Sequence, residues 1–164
     1  MWIQLYYHGK GMADLVSELI LSNKGSFENK RSCDMDEFGV YGKTVKGRLY
    51  ESDGKERYFH IYHSISKEAS ERIRFEDKRK TMKTYMMARQ GEEFTFGPMC
   101  KKYFYLHYDK DNKIFLLPEE NTQVTERELD LCGYFVIITS EKMTAKEALH
   151  IDKSRDMYCT TIGH

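Results

Sequence analysis

The residues with the most chemistry in their side chains are scattered. His60 and His63 lie in "HIYH", close enough to suggest a shared metal. In a strand, however, successive side chains alternate faces. His60 would then share a face with Tyr58 and Tyr62, and His63 would point the other way with Phe59 and Ile61. The better reading is a surface or hydrogen-bond-satisfied histidine. "DKDNKIFLLPEE" places Asp109, Asp111 and Glu120 at calcium-loop spacing. Its sixth position is Ile114, where the calcium loop needs glycine, and its flanks read as strands. A polar hairpin turn explains it better. The pairs Asp34/Asp36 and Glu92/Glu93 are too common a pattern to define a site. No phosphate-binding glycine loop, nucleophile elbow or zinc-protease motif occurs.

A run of cations, Arg72, Arg74, Lys78, Arg79, Lys80, Lys83 and Arg89, could meet phosphates. Glu68, Glu71, Glu76 and Asp77 are interleaved with it, which favours a solvated helix face. Ala69, Ile73, Tyr85 and Met86 are expected to give that helix its packing stripe. The four cysteines, Cys33, Cys100, Cys132 and Cys159, are widely spaced. That spacing suits reduced cytoplasmic thiols better than a disulfide framework or zinc site. None stands in a visible His/Asp constellation, so a thiol enzyme is the weakest reading.

The elements that must carry these residues follow from pattern. Helical spacing runs from Met12 to Leu21, with Gly25 as a stop. Residues 38–50 and 55–64 read as a hairpin turning at Asp53-Gly54. A helix is expected from an N-cap at Ser66 to Arg89, ended by Gly91. Residues 99–117 read as a second hairpin turning at 109–112, and 122–131 as a short helix or an extended lead-in. Tyr134–Thr139 is a buried-type strand, and 144–154 a final helix. Such a strand needs partners on both sides, and the rest of the chain offers few candidates. "MYCTTIGH" continues no pattern.

Composition sets outer bounds. The 164 residues are 40% hydrophobic and 13% aromatic, enough for one core. The 26 basic residues balance the 26 acidic ones, so no global charge draws the chain to nucleic acid or membrane. No run of apolar residues is long enough for a membrane span, and the first residues lack the pattern of a signal peptide.

The ordered words "FGVYGKTVKGRLY", "RYFHIYHSISKEA", "KYFYLHYD", "ERELDLCGYF" and "GYFVIITSEKMTAKEAL" followed by "KSRD" carry a resemblance over roughly residues 10–156. It is to bacterial insertion-sequence transposases of the DDE type whose signature is Tyr, two residues, Arg, three residues, Glu, six residues, Lys. The resemblance implies an α+β chain in four parts. Residues 1–24 would be a helical remnant of the catalytic core. Residues 25–130 would form a β-rich hairpin insertion module with one long helix. Residues 131–156 would be a partial ribonuclease H-like α/β strand–helix unit, and 157–164 a divergent tail. The family's reaction is DNA cleavage and strand transfer at transposon ends, using three carboxylates and two Mg²⁺ or Mn²⁺ ions.

Mapped onto this chain, the signature Arg is Arg155, and Arg155 with Lys153 is expected to contact DNA phosphates. The signature Tyr position holds Asp152 and the catalytic Glu position holds Cys159. Asp156 is an acidic neighbour off the expected position. The two catalytic Asp residues would fall before Met1, and the signature Lys after His164. The expectation is a truncated transposase part, inactive in cleavage and holding no cofactor by itself. The alternative is a stand-alone module that binds DNA or an intact transposase. No membrane partner is expected.

Overall fold

The computed structural model describes residues 3–6 and 13–161, with side chains from 14 to 155. The chain is α+β and divides into two compact units, residues 1–68 with 133–164, and residues 69–132. Met12 and the tail from 162 lie outside the described residues, as do the side chains of Asp156 and Cys159.

The first unit is built on a five-stranded sheet. Its strands are β1 (Ile3–Tyr6), β2 (Asp34–Met35), β3 (Val40–Gly47), β4 (Arg57–His63) and a late strand (Tyr134–Thr139), called β7 below because β5 and β6 precede it in the chain. The order is β1-β7-β4-β3-β2, with every pairing antiparallel. The expectation that the late strand lacks partners is therefore corrected. β7 pairs with β1 on one side, Ile3 opposite Thr139, and with β4 on the other, His63 opposite Tyr134. All six of its residues are buried. Its continuous apolar run means two covered faces, and that cover comes from segments packed on either side of the sheet, while β1 and β4 satisfy its edges.

Residues opposite one another across the ladder share a face. One face carries Tyr62 and Phe135, stacked at 4.8 Å between ring centres. Gly42 sits beside them on β3, where a Cβ would lie 2.4 Å from the Met35 methyl. The last helix, α5 (Ala145–Thr161), packs here through Ala145, Ala148 and Leu149. Thr144 and Glu147 form its capping box, each bonding the other's backbone amide. The helix runs past the expected end at Ser154 to Thr161. "MYCTT" contains no Gly or Pro, so a helix already nucleated propagates through it. The opposite sheet face carries Val136, Ile138, Phe59 and Ile61. On this side Phe27 meets Tyr134 edge-on, just after α1 (Ala13–Asn23), and Gly25 ends that helix with φ +81°.

The second unit holds most of α2 (Ile65–Met87), then α3 (Pro98–Tyr103), β5 (Phe104–Tyr108), β6 (Phe115–Glu120) and α4 (Thr122–Leu131). Its core gathers Met86, Phe96, Tyr103, Phe104 and Phe115. The expected hairpin over 99–117 begins later than its apolar letters suggest. Pro98 occupies the first helical position, where its missing N–H costs nothing, so residues 98–103 form α3 instead. The turn is polar, as expected: Asp109 accepts from the Asp111 amide and the Asn112 side chain. Asn121 caps α4 by accepting from the Val124 amide, which makes 122–131 helical rather than extended.

Two boundaries of α2 move. Ser64, not Ser66, caps it: its Oγ accepts from the Lys67 amide and its carbonyl from the Glu68 amide. The helix ends at Met87, two residues before Arg89. Its expected packing stripe is corrected in part. Ala69 is exposed, Ile73 is 63% exposed and Tyr85 43%. Met86 is buried as expected, and Phe75 and Met82 face the core with it in place of the other three.

Candidate functional site

Helix α5 positions the residues that the signature singles out. Its inward stripe is Ala145, Ala148, Leu149 and then Asp152, the i, i+3, i+4, i+7 rows of one face. Asp152 is thus a carboxylate on a stripe that is otherwise apolar, 4% exposed. Arg155, one turn on, donates to its Oδ1 at 2.9 Å. Tyr62 lies near enough to feel that charge. Burial first, and the Asp152 charge second, push the Tyr62 phenol well above its ordinary range. Its hydroxyl stays protonated and donates to the Ala145 carbonyl at 2.6 Å. Arg155 is therefore tethered to Asp152 through one N–H edge with its side chain about half exposed, while Lys153 is exposed. Both cations stand on one helix, one pointing outward and the other tethered.

Position 159 holds a thiol-bearing residue where a hard cation wants oxygen, and Asp152 is turned inward under Arg155. Among the described residues, no three His, Cys, Asp or Glu side chains converge.

The two histidines of "HIYH" stand on opposite faces of β4, as the alternation requires. His60 is fully buried and bridges two strands. Its Nδ1 lies 2.8 Å from the Thr44 hydroxyl and its Nε2 3.0 Å from the Thr139 hydroxyl. Thr139 spends its own proton on the Glu141 carbonyl at 2.9 Å, so it accepts from His60 Nε2–H, and Thr44 donates to Nδ1. Burial lowers the ring's pKa from 6.5 to about 4, so it is neutral throughout the physiological range. His63 packs on Tyr134 with ring centres 4.5 Å apart and meets Glu68 at 2.8 Å.

The acidic pairs have local roles. Desolvation, then the hydrogen bond and charge of Asp36, raise the Asp34 carboxyl above its ordinary value. Glu92 pairs with Arg89 at 3.5 Å, and its carbonyl accepts from the Phe115 amide. The cations of α2 are mostly exposed, and Arg79 is clamped between Glu76 and Glu120.

The sequence gives no hint of a pocket of about 490 Å³ in the first unit. It opens between β2, β3 and the start of α5. Met35, Tyr58 and Met143 supply apolar lining, with Lys46, Lys142 and Lys146 around them. These residues come from four separated segments, so spacing could not have revealed them.

The fold and site together define an α+β protein with antiparallel sheets and a helix-borne Arg–Asp pair. Comparison with protein-family models, curated proteins and solved structures found no match. Among the described residues Cys33, Cys100 and Cys132 form no disulfide, and no helix is long and apolar enough to cross a membrane.

Proposed function

We propose that this chain is the insertion module and terminal strand–helix unit of a DDE-type insertion-sequence transposase, contacting DNA without cutting it. One observation supports this most. The resembling words lie apart in the chain, yet three of them fold together. "FGVYGKTVKGRLY" supplies β3, "RYFHIYHSISKEA" β4, and "GYFVIITSEKMTAKEAL" β7 and the start of α5. The ribonuclease H-like character of the last unit is part of the proposal, although β7 has antiparallel neighbours where an α/β unit would have parallel ones. Asp152 and Cys159 in signature positions support the non-cleaving half of the reading.

The stand-alone alternative, a module that binds DNA or an intact transposase, has its own support. β7 is fully buried and paired on both edges within this chain, so the unit does not need strands from elsewhere to satisfy it.

The first reading, and the DNA-binding form of the second, place phosphate contacts on Arg155 and Lys153. Binding to a short DNA duplex, measured against salt concentration, should give a linear log–log slope. Arg155→Ala and Lys153→Ala should each reduce that slope by about 1. The same duplex, end-labelled and incubated with Mg²⁺ or Mn²⁺, should remain intact. Metal-dependent cleavage overturns the non-cleaving reading, and undetectable binding at low salt overturns the DNA reading.

A further inference from the structure

The pocket of the first unit has two chemically distinct parts. Its apolar part combines the Tyr58 ring with the thioethers of Met35 and Met143. Thioethers make favourable contacts with aromatic rings and adapt to flat ligands, and a tyrosine face stacks on any base. Its polar part is dominated by lysines. Lys142 is exposed on the loop before α5, and Lys146 stands in the first turn of that 17-residue helix, where the dipole also favours an anion. The ammonium of Lys46, on β3, lies over the Tyr58 ring, 5.8 Å from its centre.

The carboxylates nearby leave room for a ligand. Lys46 meets Glu56 at 3.4 Å and Lys146 meets Glu37 at 3.7 Å, with every partner more than half exposed. Such pairs contribute little and re-form readily. Asp34 also lines the pocket, where it can accept from an N–H of the ligand. Lys43 borders it too, but its ammonium is committed to Asn23 and Ser26 at 3.1 and 3.2 Å.

We propose that this pocket binds a nucleotide, its base against Tyr58, Met35 and Met143 and its phosphate between Lys142 and Lys146. The volume suits a ligand of that size. The site is independent of the transposase resemblance and of Arg155 and Lys153. Two sources share this chemistry: a free nucleoside monophosphate, and a nucleotide within a DNA strand.

Calorimetric titration of the full chain separates them. The probes are the four deoxynucleoside 5′-monophosphates, deoxyadenosine, inorganic phosphate and a short single-stranded oligonucleotide. At least one monophosphate should bind at least about tenfold more tightly than either deoxyadenosine or phosphate if the free nucleotide is the ligand. If the strand is the ligand, the oligonucleotide binds and the monophosphates compete weakly or not at all. In either case Lys142→Glu and Lys146→Glu should each weaken binding about tenfold. Tyr58→Ala should weaken it too, while Lys110→Glu, in the second unit, leaves it unchanged. Circular dichroism checks that each variant folds, and Lys142→Glu, on an exposed loop, retains the fold. Absence of binding by every probe overturns the site. So does binding that is indifferent to Lys142→Glu and Lys146→Glu. Oligonucleotide binding that is lost in Arg155→Ala but intact in the pocket variants also removes this site while leaving the DNA reading standing.

Discussion

His60 is a buried polar group whose two ring nitrogens are both satisfied, and its neutrality has a thermodynamic consequence. In the unfolded chain the ring protonates near 6.5, while in the fold it resists until about 4. Between those values the unfolded state binds more protons, so stability rises with pH across the window. The stabilising effect is complete above about 6.5 and is lost as pH falls toward 4, by about 3 kcal/mol at the lower end. Urea denaturation at a series of pH values should show this loss, and His60→Gln should flatten it. Gly133 is a second residue whose importance its letter does not reveal. Its φ is +83°, and an added Cβ would lie 2.6 Å from the Glu68 Cβ and 2.8 Å from the Ser64 carbonyl oxygen. Ser64 N–H also donates to the Gly133 carbonyl. Gly25 has nearly the same φ, +81°, with nothing within 4 Å. Gly25→Ala should therefore cost only the left-handed backbone strain, about 1 kcal/mol. Gly133→Ala adds overlap with backbone and should cost about 3 kcal/mol or more. Equal losses in chemical denaturation would refute the crowding at Gly133.

Among the elements, α2 shows how a helix can be legible while its buried face is not. Its length and charge pattern are plain in the sequence, and its interior contains no breaker. Ile73 and Tyr85 are the more conspicuous apolar letters, yet Phe75 and Met82 are the residues that join the expected Met86 in the stripe that meets the core. A 23-residue helix with only one buried side chain has a weak amphipathic signal, so either row could have been chosen. Phe75→Ala should destabilise the protein by about 2–3 kcal/mol, while Ile73→Ala should stay within about 0.5 kcal/mol. Reversal of that order in thermal denaturation would show that the stripe is wrongly placed. The hairpins behave similarly. Turn chemistry identified Asp53 and Asp109 correctly: each Oδ1 accepts from a backbone amide two residues on. The limits of the strands were less visible. The first hairpin joins β3 to β4 through residues 48–56, and α3 takes over the start of the second. A proline at a first helical position and the letters of a strand are compatible locally, and only packing of Cys100 and Tyr103 into the core decides between them.

For the whole molecule, the chain leaves the first unit after Glu68 and returns at Gly133. Those two residues are adjacent, since Gly133 lies against the Glu68 Cα and Cβ. Each unit has its own core cluster, Tyr62, Phe135, Ile137 and Leu149 in one and Phe96, Phe104 and Phe115 in the other. Replacing residues 69–132 by a short Gly/Ser linker should therefore leave a first unit that unfolds cooperatively and keeps its β-sheet circular dichroism. A molten or aggregated product would show that the five-stranded sheet depends on the second unit. By itself, the sequence determined element type, because periodicity, caps and breakers act within a few residues: α1, the β3–β4 hairpin, α2, β7 and α5 are all foreshadowed. It also determined that His60 and His63 take opposite faces, since alternation is a property of any strand. Only the tertiary structure decided that β7 lies between β1 and β4, that Asp152 is buried beneath Arg155, and that Lys46, Lys142 and Lys146 share one pocket. Strand pairing and side-chain burial join residues far apart in the chain, and local spacing carries no information about which distant partner satisfies them.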